Sequence, residues 1–194
     1  GYKGSMDAPG YSFRWIGGNA THVLIPSCVM EMNCLLPYRG EGFFKASLSE
    51  PMSCIVGAAH AQYHTQIGSY RHEMGIVKGG ACAILAGAGP MGLGCVDYLI
   101  NGPRQPRLLV VTDIDDARLK RASELMSPAK AKARGVALVY VNTKTTPEPL
   151  AVLKEMAGGG FDDVFVFAPV APVVEQGDAI LRRNGCLNFF AGPT

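Results

Sequence analysis

Charge of one sign is almost missing from this chain: 18 lysines and arginines face 16 acidic residues across 194 positions, a formal net of +2. So small an imbalance leaves no electrostatic footprint for nucleic acid or a membrane surface. Long apolar runs are missing as well, since none approaches the ~20 residues of a membrane helix. The first residues, Gly1 to Ser5, do not form a secretory leader. The 6 cysteines, Cys28, Cys34, Cys54, Cys82, Cys95 and Cys186, contain no C-x-x-C pair and no zinc-ribbon spacing. They read as reduced thiols of a cytoplasmic protein. No serine stands in a G-x-S-x-G elbow, which leaves nucleophilic hydrolysis unsupported.

Glycine, in contrast, is abundant, and one group of glycines is ordered. The apolar run Ala83-Ile84-Leu85-Ala86 ends in Gly87-Ala88-Gly89-Pro90-Met91-Gly92, a helix-like segment follows, and a second apolar run from Leu108 closes on Asp113, 21 residues after Gly92. Strand, G-x-G-x-x-G, helix, strand and acid in that order form a dinucleotide-binding pattern. Each position has a physical task. Gly87 permits a sharp turn out of the strand, Gly89 lets a pyrophosphate approach the backbone, and Gly92 lets the helix pack closely. The helix N-terminus, opened by Pro90 and Met91, favours the phosphate charge through its free amides and dipole. Asp113 can accept both ribose hydroxyls and would repel a 2′-phosphate, which favours NAD over NADP. Arg118, Lys120 and Arg121 nearby weigh the other way.

Downstream the pattern alternates. Strands are predicted at 81–86, 107–112, 137–141, 163–167 and 186–190, with helices at 90–100, 116–126, 148–156 and 173–181. Near-continuous apolar strands between amphipathic helices predict an α/β, Rossmann-type, doubly wound parallel sheet of order 3-2-1-4-5, with the sixth strand missing. Residues 1–45 are rich in glycine and proline, with alternating runs such as Thr21 to Pro26 that suggest short strands. Residues 46–80 read as a connecting helix (46–66) and a polar loop, and residues 81–194 as the nucleotide-binding domain. Loops after strands four and five, with Ala168, Pro169 and Gly192, are expected to line the nicotinamide half of the cofactor.

Other candidates carry a structural reading beside the functional one. His60 and His64 stand four apart and would share a helix face, a spacing zinc can use. The alanines around them favour packed structural histidines instead. His22 and His72 have no evident partner. The Lys130 to Arg134 run can neutralise phosphate, or simply solvate a helix end.

The segments Gly17-Gly18-Asn19-Ala20-Thr21-His22-Val23, Ser49-Glu50-Pro51-Met52-Ser53-Cys54, Gly87 to Gly92, and Val111-Thr112-Asp113 with Arg118 resemble the medium-chain dehydrogenase/reductase family, in its zinc-dependent polyol and sugar branch. The resemblance runs over essentially all 194 residues. It implies a longer parent with a GroES-like β domain, of which residues 1–45 would be a remnant. That domain would hold a catalytic zinc through a cysteine and a histidine, often with a glutamate. Only Glu50 carries over to that metal, and a carboxylate beside Pro51 at a helix start is the competing reading. The implied parent is a homo-oligomer that moves hydride between NAD(H) and a carbon of a small-molecule polyol or sugar phosphate. This stretch alone would bind cofactor better than it turns over substrate. A non-catalytic NAD-binding regulatory module is the alternative, and Asp113 argues against a zinc-independent quinone-type reductase.

Overall fold

The computed structural model describes residues 20–66 and 68–192. The chain divides into two compact units, Gly1–Ala46 and Ser47–Thr194. In the first unit the described residues form two short helices, α1 (Ser27–Glu31) and α2 (Phe43–Ala46), neither of which buries a residue. The strand expected over Thr21 to Pro26 is not there. Alternation alone makes no strand, because a ladder needs a partner edge, and among the described residues of this unit none is present. Gly17, Gly18 and Asn19 of the resembling segments lie outside the described residues.

The second unit opens with helix α3 (Ser49–Ala61), which ends earlier than the predicted residue 66. At Gln62 the backbone turns extended (ψ 140) and its fully buried side chain donates to the Cys186 carbonyl at 3.3 Å. The chain then forms an antiparallel ribbon, β1 (Tyr63–Thr65) with β2 (His72–Met74), where a loop was expected. Tyr63 and His72 stack within it, with their rings 4.6 Å apart.

Five parallel strands follow: β3 (Ala81–Leu85), β4 (Leu108–Asp113), β5 (Ala137–Asn142), β6 (Phe161–Val166) and β7 (Leu181–Asn188). Their order is β5-β4-β3-β6-β7, so the first strand of the sheet lies at its centre. Between them run α4 (Pro90–Asn101), α5 (Asp116–Leu125), α6 (Pro128–Ala133), α7 (Pro149–Ala157) and α8 (Ala171–Ile180). Helix α6 was not expected. It carries Lys130 and Lys132 outward while Ala131 is buried.

Strands β3, β4 and β6 are buried at every position, and the pleat explains why. Successive side chains point to opposite faces. Cys82, Ile84, Leu109, Val111 and Phe165 join Ile55 of α3 and Cys95, Val96 and Leu99 of α4 in one core. Ala81, Ala83, Leu85, Leu108, Val110, Val164 and Val166 join Leu153 of α7 and Ile180 of α8 in another. A strand covered on both faces has no place for alternating polarity.

The same pleat separates two adjacent buried carboxylates on β6. Asp162 accepts the Ala81 amide at 2.8 Å and Arg182 Nη1 at 2.9 Å. Asp163 accepts the Val77 amide at 2.8 Å through Oδ2, while Oδ1 takes His64 Nε2 at 2.8 Å. His64 Nδ1 lies 3.2 Å from the Asn184 carbonyl. The expectation that His60 and His64 share a helix face is therefore corrected: α3 has ended before His64, which ties the ribbon to the sheet. Nor is His60 packed core, since it is exposed and meets Tyr98 Oη at 2.9 Å.

Tyr140 of β5 closes the end of α5, its hydroxyl donating between the Met126 carbonyl at 2.9 Å and the Ala122 carbonyl at 3.2 Å. Burial pushes its pKa up from 10.0 to about 12. The folded protein thus keeps a proton that the unfolded chain has lost, and stability falls as pH rises from 10.0 to about 12. Thermal melts across that window should show a shallower loss for Tyr140→Phe than for the parent protein. An equal slope in both would refute the assignment.

Candidate functional site

The glycine turn lies at the carboxyl end of the central strand β3, where the sheet order reverses direction. Ligands of open α/β sheets gather at that point, because the neighbouring connections leave on opposite faces and open a crevice. The turn begins at Ala86, which takes a left-handed φ of 53° despite its Cβ. The Gly87 amide then donates to the Thr112 carbonyl at 2.9 Å, joining the turn to the end of β4.

The three glycines of the motif differ in what surrounds them. A Cβ on Gly87 would meet Ile84 Cγ2 at 2.4 Å, and one on Gly92 would meet the Gly87 carbonyl oxygen at 2.2 Å. These two are required by the fold itself: the first helical turn packs directly on the turn that precedes it. Gly89 is different, for a Cβ there meets nothing within 4 Å. Its bare side opens outward at the N-cap of α4, with Pro90 following at the first helical position. No carbonyl of a described residue takes the Met91 or Gly92 amide, so both donors remain free at the positive end of the helix.

Asp113 closes β4 and is only 7% exposed. Its Oδ1 accepts the amides of Ile114 at 2.8 Å and Asp115 at 3.3 Å. Its Oδ2 has no protein donor among the described residues. Asp115 caps α5, accepting the Ala117 amide at 2.8 Å and the Arg118 amide at 3.1 Å. Arg118 stands in the first turn with Nε 3.9 Å from Asp115 Oδ2. Thus Gly87 to Gly92, Asp113 and Arg118 lie on adjacent strand ends and the helices they lead into.

The other predicted loops reach the same rim. The Phe167 amide donates to the Leu85 carbonyl at 3.0 Å, placing Ala168 and Pro169 beside the glycine turn. The Ala191 amide donates to the Val166 carbonyl at 3.1 Å, which brings Gly192 (φ 73) beside them in turn. Phe167 and Phe190 pack together below these loops, their ring centres 4.6 Å apart.

Glu50 lies in the first turn of α3. It is exposed, and its Oε1 accepts the Cys54 thiol at 3.3 Å. The hydrogen bond to Glu50 is the main cause raising the Cys54 pKa. Among the described residues no group of three or more His, Cys, Asp or Glu side chains could hold a metal ion. A cavity of about 510 Å³ lies near the far end of α4, lined by Asp97, Asn101, Leu125, Lys130 and Arg134. The carboxyl ends of α4 and α5 and the start of α6 meet there.

One residue of the rim escaped sequence reasoning. Asn142, at the end of β5, donates through Nδ2 to Asp116 Oδ1 at 2.6 Å. Only its place at the end of an apolar strand, in register with Asp113, marks it.

No family model matches the chain. It is 55% identical over 186 residues to mannitol-1-phosphate 5-dehydrogenase of Aliivibrio fischeri, covering 95% of this chain and 44% of that one. It is 46% identical over 187 residues to L-sorbose 1-phosphate reductase of Klebsiella pneumoniae, covering 96% and 44%. The chain thus spans less than half the length of these curated relatives. Among solved structures, 2R,3R-butanediol dehydrogenase of Bacillus subtilis superposes with a TM-score of 0.55 at 20% identity, over 82% of this chain and 40% of that one. A putative zinc-binding dehydrogenase of Sinorhizobium meliloti 1021, bound to NADP, superposes with a TM-score of 0.53 at 19% identity, over 74% and 35%. At such identities the structural likeness is one of fold. In sequence the chain is thus similar to a mannitol-1-phosphate dehydrogenase and an L-sorbose 1-phosphate reductase, and its fold is one shared with alcohol-type dehydrogenases.

Proposed function

We propose that this chain is the NAD-binding portion of a dehydrogenase or reductase that interconverts a hydroxyl and a carbonyl on a phosphorylated polyol or sugar. The observation that carries the cofactor reading is the Asp113 carboxylate, one oxygen held by two backbone amides and the other free, on the strand end next to a glycine turn with open amides. The substrate class rests on the two relatives, both named for sugar or polyol phosphates.

When bound, the nicotinamide cofactor supplies a hydride donor and acceptor. The chain's own residues bind and orient it. Met91 and Gly92 would offer amides to the pyrophosphate, and the bare face of Gly89 would let it come close. Asp113 Oδ2 would accept hydrogen bonds from the adenosine ribose, with Arg118 at the edge of that pocket. Ala168, Pro169 and Gly192 would flank the nicotinamide half through backbone groups. Glu50 would contribute at most one carboxylate toward a metal held elsewhere. No helix among the described residues is long and apolar enough to cross a membrane, in keeping with a small-molecule enzyme.

Titration of the 194-residue chain with NAD and NADP tests this reading. NAD should bind more tightly, and Asp113→Ala should weaken NAD about tenfold, the equivalent of one charge-assisted hydrogen bond. The same change should leave NADP unaffected or improved, since it removes a repulsion. Equal affinities for the two cofactors in the parent chain would sink the assignment.

A further inference from the structure

We propose that Asn142 is a positioning residue for the adenosine end of the cofactor, acting through Asp116; this rests on the dinucleotide reading above. The Asn142 side chain ties the loop after β5 to the first residue of α5, and its backbone pairs with the end of β4. Its Oδ1 accepts the Lys144 amide at 2.9 Å and the Thr145 amide at 3.3 Å, folding the chain back after β5. Its Nδ2 donates to Asp116 Oδ1 at 2.6 Å, on the first residue of α5. Its backbone lies in register with Asp113, whose carbonyl accepts the Thr143 amide at 3.0 Å. The turn from Asp113 to Asp116 is thereby closed at both ends, by the sheet ladder at Asp113 and by the Asn142 amide at Asp116.

That closure bears on the ligand because of what lies inside it. Asp113 keeps Oδ2 free only while Oδ1 stays bonded to the Ile114 and Asp115 amides. Those amides belong to the segment that Asn142 pins. Three carboxylates, Asp113, Asp115 and Asp116, stand within four residues, and like charges repel. Asp115 is drawn in by the first amides of α5, and Asp116 by the amide of Asn142. Arg118, Lys120 and Arg121 on α5 and Lys144 after β5 are exposed cations, and among the described residues the donor that reaches Asp116 is the neutral amide of Asn142. An amide suits both tasks, for it accepts on one atom and donates on the other.

A reciprocal exchange separates this role from general support of the fold. Asn142→Asp keeps the acceptor for Lys144 and Thr145 but sets a carboxylate against Asp116, so the bond breaks. Adding Asp116→Asn restores it with donor and acceptor exchanged. Dissociation constants would be measured on the full chain for NAD, AMP and nicotinamide mononucleotide. N142D should weaken NAD and AMP by a common factor of about ten, one lost charge-assisted hydrogen bond, with the mononucleotide unchanged. The N142D/D116N protein should regain both affinities. If N142D fails to fold, D116A removes the same contact from an exposed position and should show the same split. A lowered melting temperature with AMP affinity unchanged in the folded variant would overturn the proposal, as would equal losses for both halves of the cofactor. Failure of the parent chain to bind NAD or AMP would overturn the dinucleotide reading, and this inference with it.

Discussion

Gly89→Ala is expected to leave the fold intact and to remove NAD binding. The position has φ −83° and open space on the side where a Cβ would stand, so the substitution meets no protein atom. As an N-cap change from glycine to alanine it should cost under about 1 kcal/mol of stability. The added methyl would occupy the space a pyrophosphate needs to reach the free amides of Met91 and Gly92. Affinity should therefore fall by about a hundredfold, equivalent to losing two charge-assisted hydrogen bonds. Gly92→Ala should behave oppositely. Its Cβ would lie 2.2 Å from the Gly87 carbonyl oxygen and 2.5 Å from the Gly87 Cα, both backbone atoms that cannot swing aside. Forcing the helix off the turn should destabilise the protein by about 1–3 kcal/mol and lose binding as a consequence. Calorimetric titration beside urea unfolding distinguishes the two glycines. NAD binding retained by Gly89→Ala would show that the open face is not where the phosphates lie.

Asp163→Ala should be the most damaging change outside that rim. The Asp163 side chain is 1% exposed and accepts from Val77 and His64, and among the described residues no other acceptor serves the Val77 amide. Truncation leaves a buried backbone donor and an imidazole nitrogen without partners, a loss of about 3 kcal/mol. Urea unfolding should report that loss, with the midpoint moving and the slope unchanged. Burial is the main cause holding the Asp163 carboxyl above its ordinary pKa, with the Val77 amide and His64 pulling it back down. The folded state holds its proton to higher pH than the unfolded chain, so ionising Asp163 lowers stability as pH rises through the window just above the ordinary carboxylate value. Asp163→Asn should remove that slope while keeping an acceptor for Val77.

The two kinds of expectation, about the glycine turn and about the part-buried His64, were not equally legible in the sequence. Gly87, Gly89, Gly92 and Asp113 are read from spacing because their tasks are local. A turn, a helix start and a strand end are each set within a few residues of chain. The covered strands were legible for a similar reason, since burial on both faces writes itself as an unbroken apolar run. His64 was not legible: its partner Asp163 is 99 positions away, and nothing in the helical spacing of residues 55–62 announces that Gln62 will turn inward to meet Cys186. The ribbon of β1 and β2 was missed for that reason. Helix α6 was missed because its six residues are too few for a period to show. Asn142 was missed because a strand-ending asparagine looks like any turn residue until its second partner, Asp116, is in view.

The pairing of β3 with β6 also has a consequence in time. Leu85 lies in register with Val166, so roughly 80 residues must be made and gathered before that ladder can close. The pairing of β3 with β4 closes over a much shorter loop, and β4 with β5 over a similar one. Contacts of low sequence separation form early and distant ones late. During synthesis the wall holding the glycine turn and Asp113 can therefore assemble while the opposite wall, Ala168 to Gly192, is still absent. A ligand gripped by the first wall would meet the growing chain before its own crevice is complete, and could act as a template on which the second half docks.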